Sequence, residues 1–347
     1  MKGCFWNCDG FRDTAKHWYF HESIREHKLV FFAIQETGRD NFSAPFLRFL
    51  AAGLDFAWYC LPPQGRSGGI LVGINLETLL VKGVNNGDRC VKFDLTSKGD
   101  GFEWSLVTVY GAAQDEHKQE FLAELVRICE QSSKPLLIGG DFNILRRKED
   151  KSNENFNSTW PFLFNAIIES LELKEIHLSG RQYTWVSRRD TPTYEKLDRI
   201  LSNVEWEQKF PLVTVRALER AGSDHTPLLL DSGEQAHRGN KSSFSFELSW
   251  LRQEGFVDLI AREWNSVTRG HSPLERWQNK LRHLRSFLRG WAKNLSGVYT
   301  KERDKLLQII GVLEAKAESC PLDDREKEEL KVANDKIASL RRNEEAK

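Results

Sequence analysis

The chain has 347 residues, with 50 Lys plus Arg against 50 Asp plus Glu, so no net charge draws it toward nucleic acid or membrane. Apolar residues make up 40% and aromatic ones 11%, which excludes wholesale disorder and supplies a sizeable core. That length predicts one large domain with an appendage, or two domains.

The opening MKGCFWNCDG carries no signal-peptide pattern, and no apolar run approaches the ~20 residues that a membrane helix needs. Cys4, Cys8, Cys60, Cys90, Cys129 and Cys320 are scattered without a CxxC pair, which points to free thiols in a reducing compartment. A soluble, intracellular protein is expected. Apolar, β-rich runs then follow at 3–7, 29–36, 56–61, 68–74, 91–95, 103–110, 136–142, 183–187 and 196–201, with a last one ending in PLLL at 227–230. Amphipathic stretches at 13–27, 116–130 and 158–172 predict helices, the first capped by Asp13 or Thr14. Many strands with few long helices between them predict an α+β fold: a four-layer α/β/β/α sandwich of two packed mixed sheets flanked by helices.

The composition changes at DSGEQAHRGNKSS (231–243), polar and rich in Gly and Ser. The expected division is a domain over 1–231, a linker over 232–244 and a helical arm over 245–347. Within the arm Leu274, Trp277, Leu281, Leu284, Leu288 and Trp291 recur at alternating three- and four-residue steps, and Leu306, Ile310, Leu313 and Ala317 extend the seam. SCPLDD (319–324) reads as a turn in which Asp323 or Asp324 caps the next helix, so the arm is a C-terminal α-helical hairpin.

The polar residues at the strand ends carry the chemistry. LLIGGDFN (136–143) is a buried strand that runs out in Asp141 and Asn143, on one face by alternation, with Phe142 on the other. Alone, GGDFN is a turn. Yet Asn7 and Asp9, Glu36, Tyr110, Asp198, and Asp224 with His225 also sit at the ends of apolar runs. A carboxylate at the edge of a core is costly unless paired, hydrogen-bonded or metal-bound, so six such ends predict a shared polar floor. Hard oxygen donors suit Mg²⁺, a His beside an Asp suits general-base activation of water, and Asn and Tyr can donate to phosphate oxygens. The glycines Gly139 and Gly140 are expected to leave room for backbone near a phosphate. His17 and His21 lie one helical turn apart with no third ligand in view, which favours packing over zinc.

The ordered set WNCDG, QET, VYG, GGDFN, LDRIL and SDHTP resembles the endonuclease/exonuclease/phosphatase superfamily, and GGDFN with SDH is its specific part. GRQYTWVSRR followed by EKLDRIL resembles the endonuclease domain of plant LINE-type (non-LTR) retrotransposon polyproteins. FSFELSWLRQEGF resembles the segment those polyproteins place before reverse transcriptase, whose Tyr/Phe-x-Asp-Asp motif does not follow. The resemblance implies Glu36 as the main Mg²⁺ carboxylate, Mn²⁺ being a possible substitute, with Asn7, Asp9 and Asp224 completing the site. It implies His225, oriented by Asp198, at the scissile phosphate or as base. Asp141 positions or deprotonates the attacking water, and Asn143 and Tyr110 hold the phosphate; the division of the base role between His225 and Asp141 stays open. Two positions depart from the plant pattern: Asp9 stands where Arg is usual, and Ala112-Ala113-Gln114 follows Tyr110-Gly111 where Pro-Gln is common.

The expected function is a DNA-nicking endonuclease of retroelement origin, for which a nuclear location fits. Arg276, Arg282, Arg285 and Arg289 of the arm are its candidate DNA-backbone contacts, although a solvated helix face is the plainer reading of them. The alternatives are a phosphatase on a small phosphoester such as an inositol phosphate, its specificity set by loops 38–45, 62–67 and 144–160, and an inactive nucleic-acid-binding remnant.

Overall fold

The computed structural model describes residues 1–63, 68–233, 250–251, 255–266 and 272–346, with the backbone alone at 275, 289–290, 292–298 and 343–346. The first part of the chain runs β1 (Lys2–Asn7), α1 (Thr14–His27), β2 (Phe31–Gln35), α2 (Ala44–Leu50), β3 (Phe56–Leu61), β4 (Ile70–Asn75), β5 (Leu79–Asn86), β6 (Cys90–Ser97) and β7 (Glu103–Tyr110). Next come α3 (Lys118–Glu130), β8 (Leu136–Asp141), α4 (Thr159–Ser170), β9 (Lys174–Glu175), β10 (Leu178–Ser179), β11 (Trp185–Val186) and β12 (Tyr194–Glu195). The chain continues with β13 (Asp198–Ser202), α5 (Val204–Lys209), β14 (Thr214–Ala217), β15 (Leu228–Asp231), α6 (Phe256–Trp264), α7 (Pro273–Ser319) and α8 (Asp324–Ala346).

The strands form two mixed sheets in the orders β10-β14-β15-β1-β2-β4-β3 and β5-β6-β7-β8-β13-β9. Parallel pairs β1–β2 and β7–β8 lie at their centres. Period-two alternation divides each strand between two cores. Phe5, Phe31, Val72 and Ile74 of one sheet meet Phe93, Leu106, Leu137 and Ile200 of the other. On the outside, Trp6, Phe32 and Ile34 pack against Tyr19, Phe20 and Ile24 of α1, while Val107, Val109 and Ile138 pack against Phe121 and Leu125 of α3 and Phe164 of α4. This is the expected four-layer sandwich. Asp13 is the cap of α1, accepting from Ala15 N at 2.9 Å.

Several elements escape a reading by periodicity, β5 and α2 among them. β5 carries Lys82 and Gly83 and shifts register between Val81 and Gly83, which breaks its alternation. α2, APFLRFL, is short and apolar nearly all round, so it shows no polar face to mark it. The expected strand 183–187 shrinks to β11, paired with β12 and bridged at Trp185 to His225.

The glycines of LLIGGDFN do something other than expected. A Cβ at Gly139 would stand 2.5 Å from the ring of Phe5 on the facing sheet, so this glycine admits an aromatic of the inter-sheet core. Gly140 has φ +135°, and a Cβ there would stand 2.2 Å from the Val109 carbonyl oxygen. Both answer to packing within the sandwich.

The 47-residue α7, about 70 Å long at helical rise, turns into α8 around Leu306, Ile310, Ala333 and Ile337. Asp323 caps α8 reciprocally: its Oδ1 accepts from Glu326 N at 2.8 Å, and Glu326 Oε2 accepts from Asp323 N at 3.1 Å. Leu284, Leu288 and Trp291 of the seam pack against Trp250 and Phe256, whereas Leu274 and Trp277 at its start are exposed. Residues 234–244 of the expected linker and 244–249 of FSFELSW lie outside the described residues. Among the described residues no helix is long and apolar enough to cross a membrane. All six cysteines are free.

Candidate active site

Strand register gathers the polar ends at one rim of the sandwich. Asp141 of β8 stands opposite Asp198 of β13 and beside Tyr110 of β7. On the other sheet Asn7 of β1 stands beside Gln35, the residue before Glu36. Alternation aims Asn7 with Phe5, Asp141 with Leu137, and Asp198 with Ile200 into the space between the sheets. Beyond the strand ends alternation stops. Asp9, Glu36 and Asn143 take left-handed backbone, with φ of 48°, 57° and 52°. Non-glycine residues adopt this region rarely, and its recurrence at three neighbouring strand ends marks a rim held in place by its surroundings.

Hydrogen bonds and one longer ion pair join the polar groups of the two sheets. His225 Nδ1 lies 2.9 Å from Asp198 Oδ2, and His225 Nε2 lies 3.8 Å from Asp141 Oδ2. Asp141 Oδ2 accepts from Asn7 Nδ2 at 2.9 Å and from Asn143 Nδ2 at 3.0 Å, while its Oδ1 accepts from Asn143 N at 2.9 Å. Asn143 also donates to the Gly111 carbonyl at 3.1 Å. Asn143 therefore faces Asp141 because its backbone turns back after the strand, not because alternation continues. The imidazole and both carboxylates are buried. Burial alone would push His225 down, but Asp198 and Asp141 outweigh it and hold the imidazole up at about 9. Asp141 is raised by its burial, with Asp198 adding to this against the opposing pull of His225 and Asn7.

Glu36 lies across the rim. Its carboxyl is raised by burial, eased by the Asn7 hydrogen bond and by His225, and raised again by the charges of Asp9 and Asp224. The Tyr110 hydroxyl bonds to Glu36 and is pushed far up by burial and by that carboxylate, so it stays protonated. Asp9 pairs with Arg188, whose Nε is also 4.0 Å from Asp224 Oδ2. All nine expected residues thus meet at one rim, in two sets. Asp141, Asp198 and His225 form a trio whose donor atoms lie within 4.8 Å of one another. One hydrogen bond joins Asp198 to His225, the two asparagines donate to Asp141, and His225 Nε2 faces Asp141 at 3.8 Å, which suits proton handling. Glu36, Asp9 and Asp224 are an all-oxygen set in which a buried carboxyl is destabilised by like charges, and among the described residues the exposed Arg188 is the cation paired with them. Carboxylate oxygens are the donor type that a hard divalent ion takes, one or two at a time beside water ligands, although among the described residues the trio is the group whose donor atoms lie within 4.8 Å of one another.

Sequence reasoning missed the groups that hold the rim. Lys16 of α1 is buried and its Nζ donates to the carbonyls of Cys8 (2.6 Å), Asp9 (2.9 Å) and Gly10 (3.2 Å), fixing the loop that carries Asp9. Thr184 Oγ1 accepts from Leu197 N at 3.0 Å and Asp198 N at 2.9 Å. Ser223 Oγ donates to the Asn7 carbonyl at 2.8 Å and accepts from His225 N at 3.0 Å. A lysine on a helix carries no local signal; Thr184, within GRQYTWVSRR, and Ser223, within SDH, stood in motifs that do not say which groups they hold. Elsewhere His17 packs between Phe11 and Phe46, and His21 stacks on Phe49, as packing residues. Arg276, Arg282 and Arg285 are exposed on α7, and the side chain of Arg289 lies outside the described residues.

The model of the Endonuclease/Exonuclease/phosphatase family matches residues 4–225. Solved structures share the fold. The 3′ phosphatase NExo from Neisseria bound to product DNA hairpin is 18% identical over 67% of this chain and 98% of its own, with a TM-score of 0.53. The AP endonuclease LMAP from Leishmania major is 16% identical over 66% and 86%, with a TM-score of 0.54. The endonuclease domain of TRAS1, a telomere-specific non-LTR retrotransposon, is 14% identical over 68% and 99%, with a TM-score of 0.52. At such identities the likeness speaks to the fold alone. No curated protein matches the sequence at a significant level.

Proposed function

The chain belongs to the Endonuclease/Exonuclease/phosphatase family, and on that premise we propose that it is a Mg²⁺-dependent phosphodiester hydrolase, a DNA-nicking endonuclease of retroelement origin. The observation that carries this reading is the buried link Asp198–His225–Asp141, facing a separate carboxylate set across the same rim. The retroelement origin rests on GRQYTWVSRR with EKLDRIL, and the TRAS1 domain, itself a retrotransposon endonuclease, is in keeping with it.

Glu36, Asp9 and Asp224 would hold the divalent ion, Mg²⁺ or Mn²⁺, which when bound offsets the negative charge that makes a phosphodiester resist water. His225 is an imidazolium at neutral pH with Nδ1 committed to Asp198, so its Nε2–H is a donor to a phosphate oxygen. That leaves Asp141, raised by burial and oriented by Asn7 and Asn143, as the group that takes the proton of the attacking water. Tyr110, still protonated, supplies a further donor toward the phosphate. Nicking of supercoiled plasmid in Mg²⁺, abolished by EDTA and lost in His225→Ala and Glu36→Ala, is the expected result. Wild-type protein inert in both Mg²⁺ and Mn²⁺ overturns the reading and favours a non-catalytic nucleic-acid binder.

One observation favours a phosphatase as the second reading. A cavity of about 910 Å³ adjoins Tyr110, lined among others by Gly69, Arg89, Gln114, His117 and Arg127, and this is the size of a small-molecule site. Release of phosphate from an inositol phosphate panel, with plasmid left intact, would decide for it.

A further inference from the structure

We infer that the helical arm is part of the active unit, and that Glu314 and Glu318 of α7 are positioning residues that clamp the loop carrying His225 and the loop whose Thr184 holds Asp198. They lie one helical turn apart, on one face of α7. The Glu314 carboxylate pairs with Arg181 and stands 3.9 Å from Arg220, and the three side chains are 7%, 6% and 9% exposed. Glu318 Oε2 accepts from the Gln182 backbone N–H at 2.9 Å. Arg181 and Gln182 begin the loop that leads into Thr184. Arg220 begins the loop that leads through Ser223 to Asp224 and His225.

Each gripped loop makes the contacts that set the site. From the first, Thr184 Oγ1 holds the amides of Leu197 and Asp198, its carbonyl accepts from Thr226 N at 2.7 Å, and Val186 N donates to the Asp224 carbonyl at 3.0 Å. From the second, Ser223 ties His225 N to the end of β1. Asp198 opens β13, its amide held by Thr184 of the first loop, and His225 sits on the second, so their 2.9 Å contact depends on how those two loops are set against each other. One carboxylate between two guanidiniums that are nearly out of solvent ties the spacing of the two loops to the arm. α8 makes separate ties to α1, which are not part of this clamp. Arg341 Nε is 3.2 Å from Glu22 of α1, with its guanidinium 4.7 Å from the Tyr19 ring centroid, and Arg342 is 3.2 Å from Asp13. α1 is the helix whose Lys16 fixes the Asp9 loop.

The test uses the full chain. Glu314→Gln removes the charge while keeping the shape. Hydrogen exchange of the Leu197, Asp198 and Thr226 amides is expected to accelerate about tenfold or more, with the amides between β6 and β7 unchanged. On supercoiled plasmid in Mg²⁺, kcat is expected to fall about tenfold or more while KM stays within about twofold, as a small misplacement of reacting groups predicts. Arg303→Ala cuts a tie of α7 to Glu26 (3.2 Å), on α1 and away from both loops, and should leave both readings as in wild type. Unchanged exchange at the three amides, equal acceleration in Arg303→Ala, or faster exchange at full kcat each overturns the proposal. Should Glu314→Gln not fold, Glu318→Gln decides by the same exchange at Leu197 and Asp198. The kinetic arm rests on the hydrolase reading and the exchange arm does not. An inert wild type therefore overturns that reading, and exchange alone then decides the clamp.

Discussion

Asp198 and Arg199 are neighbours on β13, yet they point to opposite sides of the sheet and into two different kinds of buried charge. Arg199, 1% exposed, lies 2.7 Å from Asp150 and 3.1 Å from Glu175, and Glu175 also meets Arg146 at 2.6 Å and Lys196 at 2.5 Å. Burial would raise the Glu175 carboxyl, but Arg199 and Lys196 overcome it and hold it down at about 2. On the Asp198 side the opposite holds: Glu36 and Asp141 are both raised, because burial and like charges outweigh the donors around them. A compensated network holds a fold together. An under-compensated one is destabilising as it stands, and it persists where a substrate or an ion is to complete it.

An isosteric pair of substitutions breaks that comparison most sharply. Glu175→Gln takes a shared carboxylate from Arg146, Lys196 and Arg199 and should cost roughly 3 kcal/mol at neutral pH, the equivalent of its depressed pKa. Glu36→Gln makes the same chemical change where the charge is unwelcome. It should leave the metal-free protein as stable or more stable, while removing turnover. Urea unfolding followed by tryptophan fluorescence measures both. A loss of similar size in the two variants would mean that the two sides of β13 do not differ.

The same contrast shows why some of the site was legible and some was not. Asn7, Tyr110, Asp141 and Asp198 follow directly from strand periodicity, because each ends or begins an apolar run whose inward face is set by alternation. The sheets, and so the four layers, come from the same signal. Asp9, Glu36 and Asn143 were placed at the rim for an incomplete reason, since left-handed backbone after the strand, which alternation cannot foresee, turns them inward. Lys16, Glu314 and Glu318 show no local pattern that distinguishes them from surface residues, and GRQYTWVSRR does not reveal that its Thr184 and Arg188 reach the rim. The arm read as a hairpin from its heptad steps, but its buried ties to the sandwich did not, because charged residues on a helix normally face solvent.

The pH dependence of stability should separate the two sides as well. Glu175 has a folded pKa depressed from 4.5 to about 2, so its contribution is present above about 4.5 and lost as pH falls through about 2. His225 is raised from 6.5 to about 9, so its contribution is complete below about 6.5 and lost as pH rises through about 9. Asp141 and Glu36, also raised, add to the decline as pH climbs from their unfolded values toward neutrality. Stability is therefore expected to peak on the acidic side of neutral. Glu175→Gln should flatten the acid limb and His225→Gln the alkaline limb, each leaving the other intact. A His225→Gln profile that still declines from pH 7 to 9 as wild type does would remove His225 from this account.

The smallest effect on stability is expected at Arg188. Its side chain is 67% exposed and pairs with Asp9 and Asp224, so water and salt screen most of the attraction and its removal should cost under about 1 kcal/mol. Its effect on ion binding should be larger than its effect on folding. The guanidinium sits on two of the three carboxylates that suit a divalent cation, and the two cations compete for the same oxygens. Arg188→Ala should therefore bind Mn²⁺ several-fold more tightly than wild type in calorimetric titration, with a nearly unchanged melting temperature. Arg189→Ala removes an equal charge from the next position of the same loop and serves as the control for long-range field alone. If both variants tighten Mn²⁺ binding equally, the contact with Asp9 and Asp224 is irrelevant and only net charge matters. If only Arg188→Ala does, the arginine is the cation that holds this carboxylate set together until an ion replaces it.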